Sequence, residues 1–178
     1  MMTQTRILFV CPGNDFRSRL ALGAMRHLIA EEDRLDDFLL DAADTVESPT
    51  RQMPGTAMLT SANRNHIWFD DHRARAIAAH DFKLFDLMLA MDQASKDALE
   101  AAAPVGTSQK VHLLLDFAPW IGSADFPQAD GLDADAFDDL MDFLHLALRG
   151  LLEVIDQATV DFNMPAVPRA RLKVASGT

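Results

Sequence analysis

Eight consecutive residues, Cys11-Pro12-Gly13-Asn14-Asp15-Phe16-Arg17-Ser18, place the only cysteine of the chain six positions before an arginine. An apolar run, Ile7-Leu8-Phe9-Val10, precedes them, and Leu20, Ala24, Met25, Leu28 and Ile29 follow at helical spacing. A loop between a buried strand and a helix N-terminus turns successive backbone N–H groups inward, and the helix dipole adds partial positive charge, which makes an anion cradle. A cysteine at the start of that cradle has its pKa lowered by the same dipole and by Arg17, giving a thiolate able to attack phosphorus. Arg17 suits the other half of the task, because its planar fork can hold two equatorial phosphoryl oxygens as charge shifts. Ser18 can donate to the sulfur when the sulfur becomes the leaving group. The competing reading is that Cys11 is a small buried hydrophobe and Arg17 a surface residue at a helix start. Cys-x5-Arg spacing alone arises by chance, and the strand before it and helix after it favour the anion site.

These residues need a scaffold, and the rest of the chain reads as alternating strands and helices. Phe38 to Leu40 is a second short strand, and residues 43 to 56 read as loop, punctuated by Ser48, Pro49, Pro54 and Gly55. A weakly patterned helix is expected from about Thr56 to Asn63, a third strand over Leu84 to Ala90, and an alanine-rich helix from about Gln93 to Ala103. Val111 to Leu115 forms the fourth strand. Phe137, Leu140, Met141, Leu144, Leu148, Leu152 and Ile155 make one long helical stripe, with Asp133, Asp135, Asp138 and Asp139 near its start, where the dipole favours acids. Nearly continuous apolar strands separated by helices imply a parallel sheet covered on both faces, an α/β fold. Residues 1–158 are read as one domain and 159–178 as a mobile basic tail.

Composition narrows the function. At 178 residues and 49% hydrophobic the chain can bury one sizeable core. Twenty-seven acidic against sixteen basic residues give a net charge of −11, which repels a phosphate backbone over most of the surface and argues against nucleic acid as a partner. No run approaches the roughly 18 apolar residues of a membrane span, and the opening residues lead directly into a strand, so the expectation is a cytoplasmic protein without a membrane partner. A single cysteine excludes an internal disulfide and a Cys-rich zinc site.

Residues 7 to 18 resemble the signature of the low-molecular-weight protein tyrosine phosphatases, a hydrophobic strand followed by Cys-x-Gly-Asn-x-Cys-Arg-Ser-Pro. Asp41-Ala42-Ala43 resembles the Asp-Ser-Ala strand end of that family, and His72-Arg73-Ala74-Arg75 its His-x-Ala-Arg segment. Phe82 through Asp92 is similar to its Asp-Phe-x-x-Phe-Asp-x-Ile-Leu-x-Met-Asp block. The resemblance covers residues 6 to about 155. It implies a four-stranded parallel sheet with helices on both faces, a flavodoxin-like three-layer sandwich. It further implies a phosphocysteine intermediate on Cys11 with Arg17 as clamp, and a substrate loop of Pro12, Gly13, Asn14, Asp15, Phe16 and Ser18. Asn14 and His72 are implied to brace the loop, and no metal or cofactor is implied.

The departures from the pattern bear on rate. The general acid of the family lies nine residues ahead of a Phe that opens the last helix, and counting back from Phe137 gives Gln128, which cannot protonate a leaving phenolate. Asp125 or Asp130 would stand in only if the loop is reshaped, and misplacement is costly. The second loop cysteine is Phe16, the following Pro is Arg19, and the Ser that braces Asn14 is Ala42. Asp15 sits where an apolar wall residue is usual. The chain has no tyrosine, so an aromatic wall must come from Trp68, Trp120, Phe126 or Phe16. The reading is a phosphatase that hydrolyses aryl phosphate monoesters such as protein phosphotyrosine, slowly, with Cys11, Arg17 and Asp125 as catalytic residues and inorganic phosphate as product. The alternative is a pseudophosphatase that binds phosphate or a phosphorylated partner.

Overall fold

A computed structural model describes residues 4–13, 16–46, 55–68, 75–129 and 131–158. Its order is β1 (Thr5–Cys11), α1 (Arg17–Glu31), β2 (Phe38–Asp44), α2 (Thr56–Arg64), α3 (Asp81–Leu84), β3 (Leu87–Ala90), α4 (Gln93–Ala102), β4 (Val111–Leu113) and α5 (Ala134–Gln157), with short 3-10 turns between. All strand pairs are parallel, and the sheet order is β2-β1-β3-β4.

Strand geometry explains why β1 is apolar without a break. Successive side chains point to opposite faces. Ile7, Phe9 and Cys11 therefore join the larger core with residues of α1, α2 and α5, while Leu8 and Val10 join a smaller core with Phe82 of α3, Phe85 just after it and Leu99 of α4. Each face is covered, so neither set of positions tolerates polarity. The chain leaves β1 to one side, for β2, and later returns to its other side, for β3. The C-terminal ends of β1 and β3 thus flank the point where strand order reverses, where a crevice opens in sheets of this kind. Cys11 is the last residue of β1.

Several elements depart from the sequence reading, each for a local reason. β2 runs on to Asp44, so residues 43 and 44 are strand rather than loop; an isolated parallel bridge between Asp44 and Ala76 extends the pairing. The third strand begins at Leu87, not Leu84. The fully buried carboxylate of Asp81 accepts a hydrogen bond from Ala78 N at 2.8 Å and winds the preceding residues into α3. The fourth strand stops at Leu113, where Asp116 Oδ2 accepts from Leu113 N at 3.1 Å and starts a 3-10 turn, Leu114–Phe117. The acidic start of α5 behaves as expected, with Asp133 Oδ1 accepting from Ala136 N at 2.9 Å. The tail, 159–178, lies outside the described residues.

Candidate active site

Cys11 is fully buried, and its Sγ lies 3.0 Å from Ser18 Oγ in the first turn of α1. It also lies 3.9 Å from Asp44 Oδ1, across the strand pairing that sets Cys11 opposite Asp44. Pro12 and Gly13 follow, half-buried; Asn14 and Asp15 lie outside the described residues, as do His72 and Asp130. The N-cap of α1 is Phe16, which has no side-chain acceptor, and the first turn carries no acid, so nothing on that turn offsets the positive end of the helix. The Phe16 ring is core, with the Arg19 guanidinium 4.6 Å from its centroid.

Arg17 is 1% exposed, an unusual position for a guanidinium, and its partners explain it. Nη2 donates to Asp92 Oδ2 at 2.5 Å and Nη1 to the carbonyl of Phe126 at 2.8 Å. These bonds fix the plane of the fork, the condition for it to meet two phosphoryl oxygens at once. Asp92 is itself held as the N-cap of α4, accepting from Ser95 N at 2.7 Å. Burial pushes its carboxyl up, but the hydrogen bonds from Ser95 and the charge of Arg17 outweigh burial and hold it below the usual carboxylate range.

The loop expected to carry the general acid is fastened to the same corner. Phe126 N donates to Met91 O at 2.8 Å, and its ring is buried against Phe143, so it forms no wall for a substrate. Asp125 is exposed, and its Oδ1 accepts from Gln93 N, the first residue of α4, at 2.8 Å. Gln128 is exposed beyond this anchor. Trp68 and Trp120 are 66% and 60% exposed, which leaves them as the aromatic surfaces among the four considered.

Three residues that matter here escape the sequence reading. Arg75 bonds Asp41 Oδ2 at 2.8 Å and Asp81 at 2.8 and 3.0 Å, and its carbonyl accepts from Asp44 N at 2.8 Å, so this network sets the end of β2 beside Cys11. Asp92 ends the segment that resembles the family block, but nothing in the sequence marks it as the partner of Arg17. Asp44 is the last residue of β2, four positions beyond the apolar run read as its strand, and only the strand register brings it to the cysteine. Among the described residues no group of three or more His, Cys, Asp or Glu is arranged to hold a metal ion, and no helix is long and apolar enough to cross a membrane.

A Cys-x5-Arg loop at the strand-order reversal of a parallel 2-1-3-4 sheet, its thiol against a serine and its arginine locked, defines the class as a cysteine-loop phosphatase fold. The family described as low molecular weight phosphotyrosine protein phosphatase matches residues 6–161, and the chain belongs to that family. It is 32% identical over 114 residues to low molecular weight phosphotyrosine protein phosphatase 2 of Drosophila melanogaster, covering 64% of this chain and 69% of the relative. It is 30% identical over 158 residues to the phosphatase of Schizosaccharomyces pombe, covering 85% and 99%. A protein tyrosine phosphatase from Entamoeba histolytica, crystallised with Hepes in its active site, superposes with a TM-score of 0.78 at 25% identity, covering 88% of this chain and 100% of that one.

Proposed function

We propose that this protein hydrolyses aryl phosphate monoesters, protein phosphotyrosine among them, through a phosphocysteine on Cys11, and does so slowly. The observation that carries the reading is the Cys11 sulfur at the end of a central strand, 3.0 Å from Ser18 Oγ in the first turn of α1. The thiolate attacks phosphorus in line, the P–O bond to the phenol breaks with its electron pair, and Arg17 takes the charge that gathers on the equatorial oxygens. Water then attacks the phosphocysteine, and Ser18 donates to the departing sulfur. Asp125 serves to position, since its carboxylate is held by the start of α4; that contact supports placing the loop rather than delivering a proton. With Gln128 at the acid position, the phenolate leaves unprotonated.

Activated aryl phosphates, whose phenols are acidic, are therefore turned over faster than phosphotyrosine by about 10² to 10⁴-fold, the usual worth of general acid catalysis. A series of aryl phosphates spanning phenol acidity measures this directly. Comparable rates across the series would show that a proton donor operates and that the slow step is misassigned. Gln128 also favours a second reading, a binder of phosphate or a phosphorylated partner. Under it, millimolar phosphate or vanadate raises the melting temperature by mass action while even activated esters are not turned over.

A further inference from the structure

The end of β2 carries a buried acid for which the mechanism above has no use. Asp44 is 4% exposed, and its Oδ1 sits 3.9 Å from the Cys11 sulfur. Its backbone is pinned on both sides: Asp44 N donates to Arg75 O at 2.8 Å, Ile77 N donates to Asp44 O at 2.9 Å, and the next residue, Thr45, donates its N–H to Cys11 O at 3.0 Å. The carboxylate is thus presented to the thiol by the strand register and not by a mobile loop. Two acids side by side in a buried setting repel when both are ionised, and such a pair retains one proton over a wide pH range.

We propose that Asp44 and Cys11 share one proton across the Sγ to Oδ1 contact, so that Asp44 governs when the nucleophile becomes a thiolate. In the ligand-free protein the proton rests on sulfur, with Cys11 Sγ donating to Asp44 Oδ1. In the transfer the S–H bond breaks and an O–H bond forms on Asp44, the negative charge passes from the carboxylate to the sulfur, and no proton leaves the site. The pair carries one negative charge in either form, which spares an incoming phosphate dianion from meeting two. Asp44 does not replace the missing leaving-group acid. In-line displacement puts the leaving oxygen on the side of phosphorus opposite the sulfur, and Asp44 lies beside the sulfur. What the resulting thiolate does rests on the phosphatase reading; the shared proton does not.

Other charges lie on the elements around this pair. Among the described residues they are Arg17 on α1 with its partner Asp92 from the corner before α4, Arg75, whose carbonyl accepts from Asp44 N, with Asp41 and Asp81, and Asp125 on the loop held at Gln93 N. The charged residues at 15 and 70–73 lie outside the described residues. All of them are common to the wild type and an Asp44→Asn variant, so a comparison isolates the carboxyl group.

Because Cys11 is the only cysteine, thiolate absorbance and the rate of iodoacetamide alkylation against pH report on it alone. In Asp44→Asn the thiolate midpoint falls by about one pH unit or more, and alkylation at about pH 6 is faster by about tenfold, the ratio one unit represents. A midpoint unchanged or raised in a variant with an unchanged melting temperature overturns the proposal. Should Asp44→Asn fail to fold, the wild type still decides: its S–H Raman band persists in ligand-free protein at about pH 6, and a fully formed thiolate there, well below the ordinary thiol range, overturns the proposal. Neither measurement uses a substrate, so a protein that hydrolyses nothing fails the phosphatase reading while leaving the titration interpretable.

Discussion

The hydrogen bond from Gln93 N to Asp125 and the solvent-facing position of Gln128 make separate predictions for two neighbouring side chains. Asp125→Asn should loosen the loop and lower turnover of all aryl phosphates alike, leaving the dependence on phenol acidity unchanged, because no proton donor is lost. Gln128→Asp should raise phosphotyrosine turnover by at least about tenfold, toward the 10² to 10⁴ that a placed acid contributes, while hardly affecting esters with acidic phenols. Rates for both variants across the same ester series check this. A collapse of phosphotyrosine turnover alone in Asp125→Asn would restore Asp125 as the donor. The grouping of Cys11, Arg17 and Ser18 was legible because they fall within eight consecutive residues between a strand and a helix. Asp44 and the pairing of Arg17 with Asp92 were not, since they depend on strand register and on a corner 75 residues away.

The elements show the same division between local and distant causes. Hydrophobic runs located all four strands and the long α5 stripe, but their ends were set by polar contacts no periodicity contains: Asp81 accepting from Ala78 N, Asp116 accepting from Leu113 N, and Arg75 O meeting Asp44 N. One helix position is equally constrained by what crosses it. A Cβ at Gly150 of α5 would stand 2.1 Å from the carbonyl oxygen of Phe117 and 3.2 Å from the Trp120 ring, so α5 and the turn after β4 approach as closely as glycine allows. That turn leads into the loop holding Phe126 and Asp125. Gly150→Ala, favourable for an isolated helix, should instead destabilise the protein by about 1–3 kcal/mol through overpacking against backbone. Urea denaturation measures it, and an unchanged or raised midpoint would mean the turn moves freely away from α5.

Across the whole molecule, a net charge of −11 makes the proposed anion site a local exception, resting on helix α1 and a buried arginine. The same folding buries histidines that prefer to be neutral. Burial lowers the pKa of His112 from 6.5, with Asp116 opposing and Lys96 assisting, and burial likewise lowers His145 against the opposing charge of Asp142. A base whose folded pKa is depressed takes up its proton more readily when unfolded. Stability is therefore complete above the unfolded value of 6.5 and is lost as pH falls through the lower folded values. Asp92, held below the usual carboxylate range, adds a separate loss only below 3.8. Denaturation midpoints should decline as pH falls below about 6.5, and His112→Gln should flatten that decline; a slope that survives the substitution in full would place its origin elsewhere.

A covalent bond between phosphorus and the sulfur of Cys11 is the point on which the functional reading turns. Mixing the protein with excess activated aryl phosphate, quenching rapidly in denaturant and reading intact mass and peptide position tests it directly, with Cys11→Ala as the blank. The expected result is one phosphoryl group on the peptide that contains Cys11, appearing with a burst of phenol equal to the protein concentration, and neither in the blank. Steady turnover with no burst and no label, or equal turnover by Cys11→Ala, would contradict a phosphocysteine route.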